Sequence, residues 1–443
     1  MCDTLIATKL ATTNNIAIFG KNSDRPPNEG QHIAYFPAQT YSAGSALKCT
    51  YIEIPQAEKT NAVLLSKPFW MWGAEMGFNE HGLVIGNEAV YSKAPANKKP
   101  ALLGMDMLRV AVERTATPRE AVQIIIDLLE KFGQGGNCVS HGETIYYHNS
   151  FIIANAEESW VLETVDKQWA AKQIKDVYSI SNCLTLNTQW DMASPKLVEL
   201  AVQKGFSKSA AQFNYAKDYS DFLITNFGKG RARRATTTAM LNEQKGSVSV
   251  ESMMATLRHH DEKDFDPQAA SLTSVEVCMH AGFGPIHTYQ STASTVAYLD
   301  GNTPIIFATG TSAPCTSIFK PIWMDTASSL NLGPVPASTA DSASLYWTHE
   351  KLHRATLLNY PERIKTYASD RDELETKFVQ GALNLTKASP QERADFSAQC
   401  FRESAAAETE WLKRVEKVPA RKNILYASAW NGFNKKARMP DIQ

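Results

Sequence analysis

The stretch that decides the predicted fold lies at the start of the chain: Cys2-Asp3-Thr4, followed by Ile16-Ala17-Ile18-Phe19-Gly20-Lys21-Asn22-Ser23-Asp24-Arg25. The apolar run predicts a strand that ends at the glycine. After it the chain presents two cations, an amide and a carboxylate close together. A carboxylate here can hold an ammonium group by a hydrogen bond, and a nearby cation lowers the pKa of a thiol. The same composition also fits a solvated turn after a hairpin strand.

Cys2 is the candidate nucleophile. Cysteine is small enough that an initiator Met before it is normally removed, which leaves an α-amine and a thiol on one residue. Their ordinary pKa values, about 7.7–8.0 and about 8.5, lie close together. The amine can therefore act as the base that activates its own side chain. The alternative is an unreactive thiol packed at the start of a strand, and both interpretations fit the first residues alone.

Segments that match a known family are spread over most of the chain. They lie at 2–4, 20–25, 72–77, 79–82, 85–90, 130–136, 160–164, 179–182 and 317–321. With these segments the sequence resembles the secernin family, which is grouped with the cysteine dipeptidases among the N-terminal-nucleophile hydrolases. The sequence is more distantly similar to the bile-salt hydrolase and penicillin acylase group.

The resemblance implies both a fold and a reaction. The fold is α+β, a four-layer αββα sandwich with Cys2 at the start of an inner strand and a helical C-terminal extension. The reaction is hydrolysis of an amide or peptide bond through a thioester, with dipeptides as the expected substrates and no cofactor or metal. It further implies that Cys2 is exposed by an aminopeptidase or autocatalytically.

The resemblance also assigns catalytic residues. Cys2 matches the nucleophile, and Asp24 matches the carboxylate that contacts its α-amine. Lys21 stands where the wider group usually has Arg, and a lysine cannot make the bidentate contacts of an arginine. Asn87 and Asn182 follow strands where the group has asparagines that form the oxyanion hole or position the amine. A donor in an oxyanion hole is worth about 2.7–4 kcal/mol in comparable sites.

Three arginines and a glutamate complete the candidate site. The segment Gly230-Arg231-Ala232-Arg233-Arg234 matches a downstream arginine motif of the family. Arg231 is assigned to catalysis and Arg234 to substrate binding, with the register among the three arginines left open. Because a dipeptide carries two terminal charges, Arg25 and Glu75 are further candidates for binding it.

Patterning along the chain predicts alternating strands and helices. Strands are expected at 16–19, 83–85, 151–154, 160–164, 177–181, 275–279, 295–299 and 305–308. Helices are expected at 105–112, at 250–257, and from a capping Thr117 through Glu120 until Gly133. Beyond a Gly/Pro/Ser-rich passage at 332–338, charged helix formers continue at 345–359, 371–383 and 392–417. We therefore expect a hydrolase domain at 2–335 and a helical cap at 340–443.

Two other motifs carry competing interpretations. His349-Glu350-Lys351-Leu352-His353 has the H-E-x-x-H pattern of a zinc peptidase on a predicted helix, but no third ligand is evident in the sequence. Cys278-Met279-His280 places a thiol and an imidazole on one face of a predicted strand. That pair is either catalytic or a core strand with a satisfied histidine.

Composition excludes several classes of protein. The 45 Lys+Arg residues nearly balance the 46 Asp+Glu residues, so we expect no nucleic-acid partner. Apolar runs fall short of the roughly 20 residues that cross a bilayer, and the start lacks the pattern of a secretory signal. The 7 cysteines are scattered and form no CxxC pair, which favours reduced thiols and a cytoplasmic location.

Two questions of function stay open at the level of sequence. The substrate is a dipeptide, another small amide or an N-acyl compound, because the loops that shape the pocket are not placed by pattern. A non-catalytic, secernin-like interaction protein is the alternative to a hydrolase. The expectation of a homo-oligomer comes from the family resemblance alone.

Overall fold

A computed structural model describes residues 2–140, 142, 144–261, 265–269, 274–283 and 288–440. Both helices and antiparallel strand pairs are abundant among them, which confirms the α+β class. Within these ranges, no helix combines the length and the apolar character that a membrane crossing requires.

The strands are numbered along the chain. They are β1 (Cys2–Ala7), β2 (Ala17–Arg25), β3 (Gln31–Phe36), β4 (Gln39–Thr40), β5 (Ala46–Lys48), β6 (Glu53–Pro55), β7 (Lys59–Thr60), β8 (Val63–Pro68), β9 (Met76–Asn79), β10 (Val84–Val90), β11 (His148–Ala154), β12 (Ser159–Val165), β13 (Gln168–Gln173), β14 (Val177–Ile180), β15 (Met192–Ala193), β16 (Gln290–Leu299), β17 (Ile305–Ala308) and β18 (Lys320–Trp323).

The α-helices are numbered in the same way. They are α1 (Gly104–Arg114), α2 (Pro118–Phe132), α3 (Leu197–Gln203), α4 (Tyr215–Tyr219), α5 (Phe222–Phe227), α6 (Gly230–Glu243), α7 (Val250–Leu257), α8 (Leu345–Leu357), α9 (Tyr360–Arg363), α10 (Ala368–Asn384), α11 (Pro390–Val415) and α12 (Ile424–Ala437).

The start and end of α2 follow from its sequence. The Thr117 side chain accepts a hydrogen bond from the backbone N–H of Glu120, and the Glu120 carboxylate binds the Thr117 N–H in return. This capping box satisfies N–H groups that lack helical partners. The helix ends at Gly133, whose φ of 72° is open to glycine at little cost. The predicted helix is confirmed with both of its boundaries.

The described residues form two compact units, each assembled from separate parts of the chain. The first contains Met1–Phe19, Tyr35–Val248 and Leu299–Asn302, and the second contains Gly20–Ala34, Ser249–Tyr298 and Thr303–Gln443. The division of the chain into domains at 2–335 and 340–443 stays a prediction.

The first unit has four layers. Seven neighbouring strands form an antiparallel sheet in the order β15-β13-β12-β11-β10-β9-β8. Helices α1 and α2 pack against β9 to β12, and β1 contacts β10 and β11. Helix α6 packs on β1 and β14, which pair antiparallel. The order is therefore helix, sheet, sheet and helix, as the resemblance implies.

Apolar side chains fill the space between the large sheet and its helices. Leu108 and Val112 of α1 and Ile125 of α2 are fully buried together with Leu162 of β12. Truncation of such a residue to Ala costs about 2–5 kcal/mol. This layer holds the strands rigidly and sets the positions of the polar residues on the opposite face of the sheet.

The second unit contains the C-terminal helices. Strands β16, β17 and β18 form an antiparallel run, and α10 and α11 pack on β18. The ring of Tyr367 stacks on that of Trp411 with centroids 5.1 Å apart, next to the buried Phe378. Helices α8 to α12 occupy Leu345–Ala437, and the predicted helical C-terminal extension is confirmed.

Two predicted local structures are wrong. The strand predicted to end at Gly20 continues as β2 to Arg25, and the alternative of a solvated turn does not form there. The polar residues of this continuation are buried because they find partners within the second unit, such as Ser294, which donates to Asn22 at 2.7 Å.

The strand expected at 275–279 does not form. The backbone N–H groups of Val277 and Cys278 both donate to the carbonyl of His259 at 3.2 Å instead of joining a sheet. Asn22 also binds the carbonyl of Val277, at 2.9 Å. An apolar run of this length has no periodicity that separates a strand from a buried loop.

Candidate active site

The antiparallel pairing of β1 with β14 brings Cys2 next to Asn182. Their register pairs Thr4 with Ile180, so its continuation places Asn182 opposite Cys2. The backbone nitrogen of Cys2 donates to Asn182 Oδ1 at 2.9 Å. Cys2 is 6% exposed and Asn182 is 1% exposed. The first residue of the strand is thus fixed by a side chain from the end of its neighbour.

Arg233 of α6 connects three of the groups around Cys2. Its guanidinium donates to the carbonyl of Cys2 at 3.2 Å and to Asn182 Oδ1 at 2.6 Å, and it forms an ion pair with Asp3. Both charged side chains of that pair are fully buried. Such charge-assisted contacts are about twice as strong as neutral ones. Arg233 therefore locks the backbone of Cys2 and the amide of Asn182 together.

Gly230 permits the close approach of α6 to this strand end. A Cβ atom at Gly230 would lie 2.8 Å from the carbonyl oxygen of Asn182, closer than van der Waals contact allows. Because backbone atoms cannot rotate away, a larger residue would push the helix and Arg233 outward.

Glu75 brings a carboxylate to the thiol. Its Oε2 lies 4.0 Å from Cys2 Sγ, and the residue is 2% exposed. The backbone of Glu75 is held between two strands: its N–H donates to Ser66 at 3.0 Å, and its carbonyl accepts from Asn87 at 3.3 Å. Within the first unit, the nucleophile candidate and this carboxylate face each other across the two sheets.

Asn87 lies on β10 and is buried. Its Nδ2 donates to Asn149 at 3.1 Å and contacts the sulfur of Met105 at 3.3 Å. Asn182 Nδ2 donates to the carbonyl of Ala89 at 3.0 Å. The two asparagines therefore belong to the same unit as Cys2, and their assignment as oxyanion or amine-positioning groups stays a prediction.

Lys21, Asp24 and Arg25 lie on the part of β2 that belongs to the second unit, and all three are buried. Asp24 accepts a hydrogen bond from Ser291 at 2.6 Å, and Arg25 pairs with Glu29 at 3.2 Å. Their assigned roles in catalysis and substrate binding stay predictions.

Arg231 and Arg234 line a cavity of about 340 Å³ in the first unit, next to Cys183. Arg234 donates to the carbonyl of Ser179 at 2.9 Å, and the Arg231 guanidinium lies over the ring of Phe222. Burial raises the pKa of the Cys183 thiol to about 12, so it is a poor nucleophile at neutral pH. The assignments of Arg231 to catalysis and of Arg234 to substrate binding stay predictions.

Arg233 is the residue that sequence reasoning did not single out. A signal for it exists, since the buried residues of α6 are Gly230, Arg233, Thr237 and Leu241. This spacing describes one helical stripe, and Arg233 is the arginine of the motif that lies on it.

The H-E-x-x-H motif lies in a buried hydrogen-bond network of the second unit. His349 pairs with Glu408 at 3.0 Å, and Glu350 pairs with both His353 and Arg354. Although burial opposes ionisation, Arg354 and His353 hold the pKa of Glu350 well below its usual range. Glu350 is thus a poor base, and this geometry does not favour a zinc peptidase.

Comparison with known proteins gives one family and several distant structural likenesses. A model described as peptidase family C69 matches residues 48–372. A mutant of conjugated bile acid hydrolase from Clostridium perfringens covers 75% of this chain and 94% of its own, with 13% identity and a TM-score of 0.43. Penicillin V acylase from Agrobacterium tumefaciens covers 73% and 86%, with 16% identity and a TM-score of 0.42.

Proposed function

The chain belongs to peptidase family C69, which includes the secernins and the cysteine dipeptidases, and it is a hydrolase of amide bonds; from this premise we propose that it cleaves dipeptides with the Cys2 thiol as its nucleophile. One observation supports the choice of Cys2. Its backbone nitrogen is held by Asn182 at 2.9 Å while its sulfur lies 4.0 Å from Glu75, in a buried polar site.

The proposed reaction begins at the mature N-terminus, after Met1 has been removed. The α-amine of Cys2 takes the thiol proton, and the thiolate attacks the carbonyl carbon of the peptide bond. The C–N bond then breaks, and the proton passes from the ammonium to the leaving nitrogen. Water, deprotonated by the same amine, adds to the thioester, and cleavage of the C–S bond restores the thiol.

The hydrogen bond to Asn182 is compatible with the Cys2 α-amine acting as the base. Asn182 Oδ1 accepts from the amine and from Arg233, so it orients the amine without taking its proton. Because the amine is the donor in this hydrogen bond, its lone pair is not used by Asn182 and can take the thiol proton. Asn87 and Asn182 are the proposed donors to the oxyanion that forms on the carbonyl oxygen.

Glu75 is the proposed binding group for the substrate's free amino terminus. In an aminoacyl thioester only two carbon atoms separate the sulfur from the α-ammonium nitrogen. A carboxylate 4.0 Å from Sγ is therefore within reach of that ammonium. Because Glu75 is 2% exposed, little water competes with this ion pair. This arrangement favours substrates with a free amine over N-acyl compounds.

Glu75→Gln is expected to raise the KM for dipeptides at least about tenfold, because a charge-assisted hydrogen bond contributes about 1.5–3 kcal/mol. N-acetylated dipeptides lack the ammonium, so their low rate of cleavage should be unchanged or rise. Steady-state kinetics on a panel of dipeptides, N-acetyl dipeptides and acyl-amino acids measures both effects.

The matched control is Glu113→Gln. Glu113 is a buried carboxylate on α1 that pairs with Arg109 at 2.8 Å, so the same substitution there tests for loss of a buried charge alone. If Glu75→Gln slows free and N-acetylated dipeptides equally, Glu75 does not bind the amino terminus. If the wild-type enzyme prefers N-acyl substrates, the dipeptidase proposal is wrong.

A further inference from the structure

Four side chains with metal-binding atoms converge in the second unit. His260 follows α7, Cys278 and His280 precede β16, and Cys315 lies between β17 and β18. Their ligand atoms all lie within 4.8 Å of one another. They come from three separate parts of the chain, so the cluster is a product of the fold.

The three distances from His280 Nε2 are close to those expected in a tetrahedral zinc site. His280 Nε2 lies 3.3 Å from His260 Nε2, 3.6 Å from Cys278 Sγ and 3.2 Å from Cys315 Sγ. With Zn–N near 2.0–2.1 Å and Zn–S near 2.3 Å, tetrahedral geometry places two nitrogens about 3.4 Å apart and nitrogen and sulfur about 3.6 Å apart. The spacing therefore leaves room for an ion at the centre.

Hydrogen bonding alone does not account for this convergence. An imidazole nitrogen carries either one hydrogen or one lone pair. His280 Nε2 faces three potential ligand atoms at contact distance, so it can make only one proper hydrogen bond among them. A central cation would interact with all four atoms at once.

We propose that His260, Cys278, His280 and Cys315 bind one Zn²⁺ ion in a closed structural site. Four protein ligands fill a tetrahedral shell and leave no position for a substrate or a catalytic water. Paired thiolates and imidazoles are soft and intermediate ligands that suit zinc better than Mg²⁺ or Ca²⁺. A two-iron centre of the Rieske type divides its ligands between two irons, whereas the four ligand atoms here all lie within 4.8 Å of one another.

The surroundings would shield the ion from water. Cys278, His280 and Cys315 are buried, and the ring of Phe265 stacks on His260 with centroids 3.9 Å apart. The ring of Tyr360 makes edge-to-face contacts with the rings of His260 and His280. Apolar walls of this kind strengthen the electrostatic attraction between an ion and its ligands.

A zinc ion bound here would fix the segment from Cys278 to His280, which is connected to Asp24 by hydrogen bonds. Met279 lies between two of the ligands, and its backbone N–H donates to Ser291 at 3.1 Å. Ser291 in turn donates to Asp24 at 2.6 Å. The adjacent carbonyl of Ala281 accepts from Trp430 of α12 at 3.3 Å. The ion would thus join α7, two loops and the C-terminal helix into one structure.

Metal analysis of the full, untagged chain tests the proposal. Inductively coupled plasma mass spectrometry should find about one zinc per wild-type chain, and less than about one-tenth in Cys278→Ser and Cys315→Ser. Cys400→Ser is the matched control, because Cys400 is a buried thiol of the same unit outside the cluster. His260→Gln should lower the zinc content, and His259→Gln at the neighbouring residue should not.

Cobalt loading gives a measurement that needs no variant to fold. Chelator-treated wild type refilled with Co²⁺ should show the intense visible bands of tetrahedral cobalt and a thiolate-to-cobalt charge-transfer band. A wild-type chain that binds neither zinc nor cobalt would overturn the proposal, as would a Cys278–Cys315 disulfide seen by mass spectrometry. Full zinc content in both cysteine variants would also overturn it. These readouts are independent of hydrolysis, so loss of one proposal leaves the other standing.

Discussion

Cys2→Ala is expected to lower the rate of dipeptide hydrolysis by at least about 10⁴-fold, because removal of a catalytic nucleophile in comparable hydrolases costs on the order of 10⁴–10⁶. The free energy of unfolding should fall by no more than about 2 kcal/mol, since the change removes one sulfur atom from a buried site. Kinetics on the dipeptide panel and denaturant unfolding measure the two effects separately.

Cys49→Ala is the matched control for this variant. Cys49 is also a buried thiol of the first unit, and burial raises its pKa to about 12, so it is not expected to ionise at neutral pH. The control should retain hydrolysis. If Cys2→Ala remains active, the nucleophile lies elsewhere. If folded Cys49→Ala loses activity as well, the loss in Cys2→Ala does not identify Cys2 as the nucleophile.

Arg233→Met should destabilise the protein by about 3–5 kcal/mol, because it removes one partner of a buried ion pair and leaves the Asp3 charge without its guanidinium. The kcat should fall as well, since Arg233 also binds Asn182 and the carbonyl of Cys2. Addition of Asp3→Asn should restore part of the stability but not the activity. Denaturant unfolding and kinetics of the single and double variants measure this.

Arg234→Met provides the comparison on the same helix. Arg234 is half-buried and binds the carbonyl of Ser179, so its loss should cost about 1 kcal/mol or less. Both substitutions preserve helix propensity. Equal losses of stability in the two variants would show that the buried ion pair of Arg233 with Asp3 contributes nothing special.

Sequence patterns correctly predicted helices and strands whose determining residues lie close together in the chain. The capping Thr117 and the terminating Gly133 fixed both ends of α2. The run at 275–279 has the composition of a strand, yet its backbone binds His259 because the long-range partners decide the outcome. Composition alone cannot tell a paired strand from a buried loop when the run is this short.

The residues of the candidate site also differ in how far they could be predicted from sequence. Cys2 and Asn182 could be identified from motifs, and the register of β1 with β14 explains why they meet. Arg233 required the helical stripe that only a known helix boundary reveals. The cluster of His260 and Cys315 brings together residues far apart in sequence, so the scattered cysteines gave no spacing from which a metal site could be predicted.

Mass spectrometry of the acyl-enzyme tests the central claim most directly. A reaction with a slowly hydrolysed dipeptide is quenched in acid, digested and mapped at its N-terminal peptide. We expect a mature chain that begins at Cys2 and carries the substrate's aminoacyl group as a thioester on that residue. An acyl group on another cysteine, or an active enzyme that retains Met1, would contradict it.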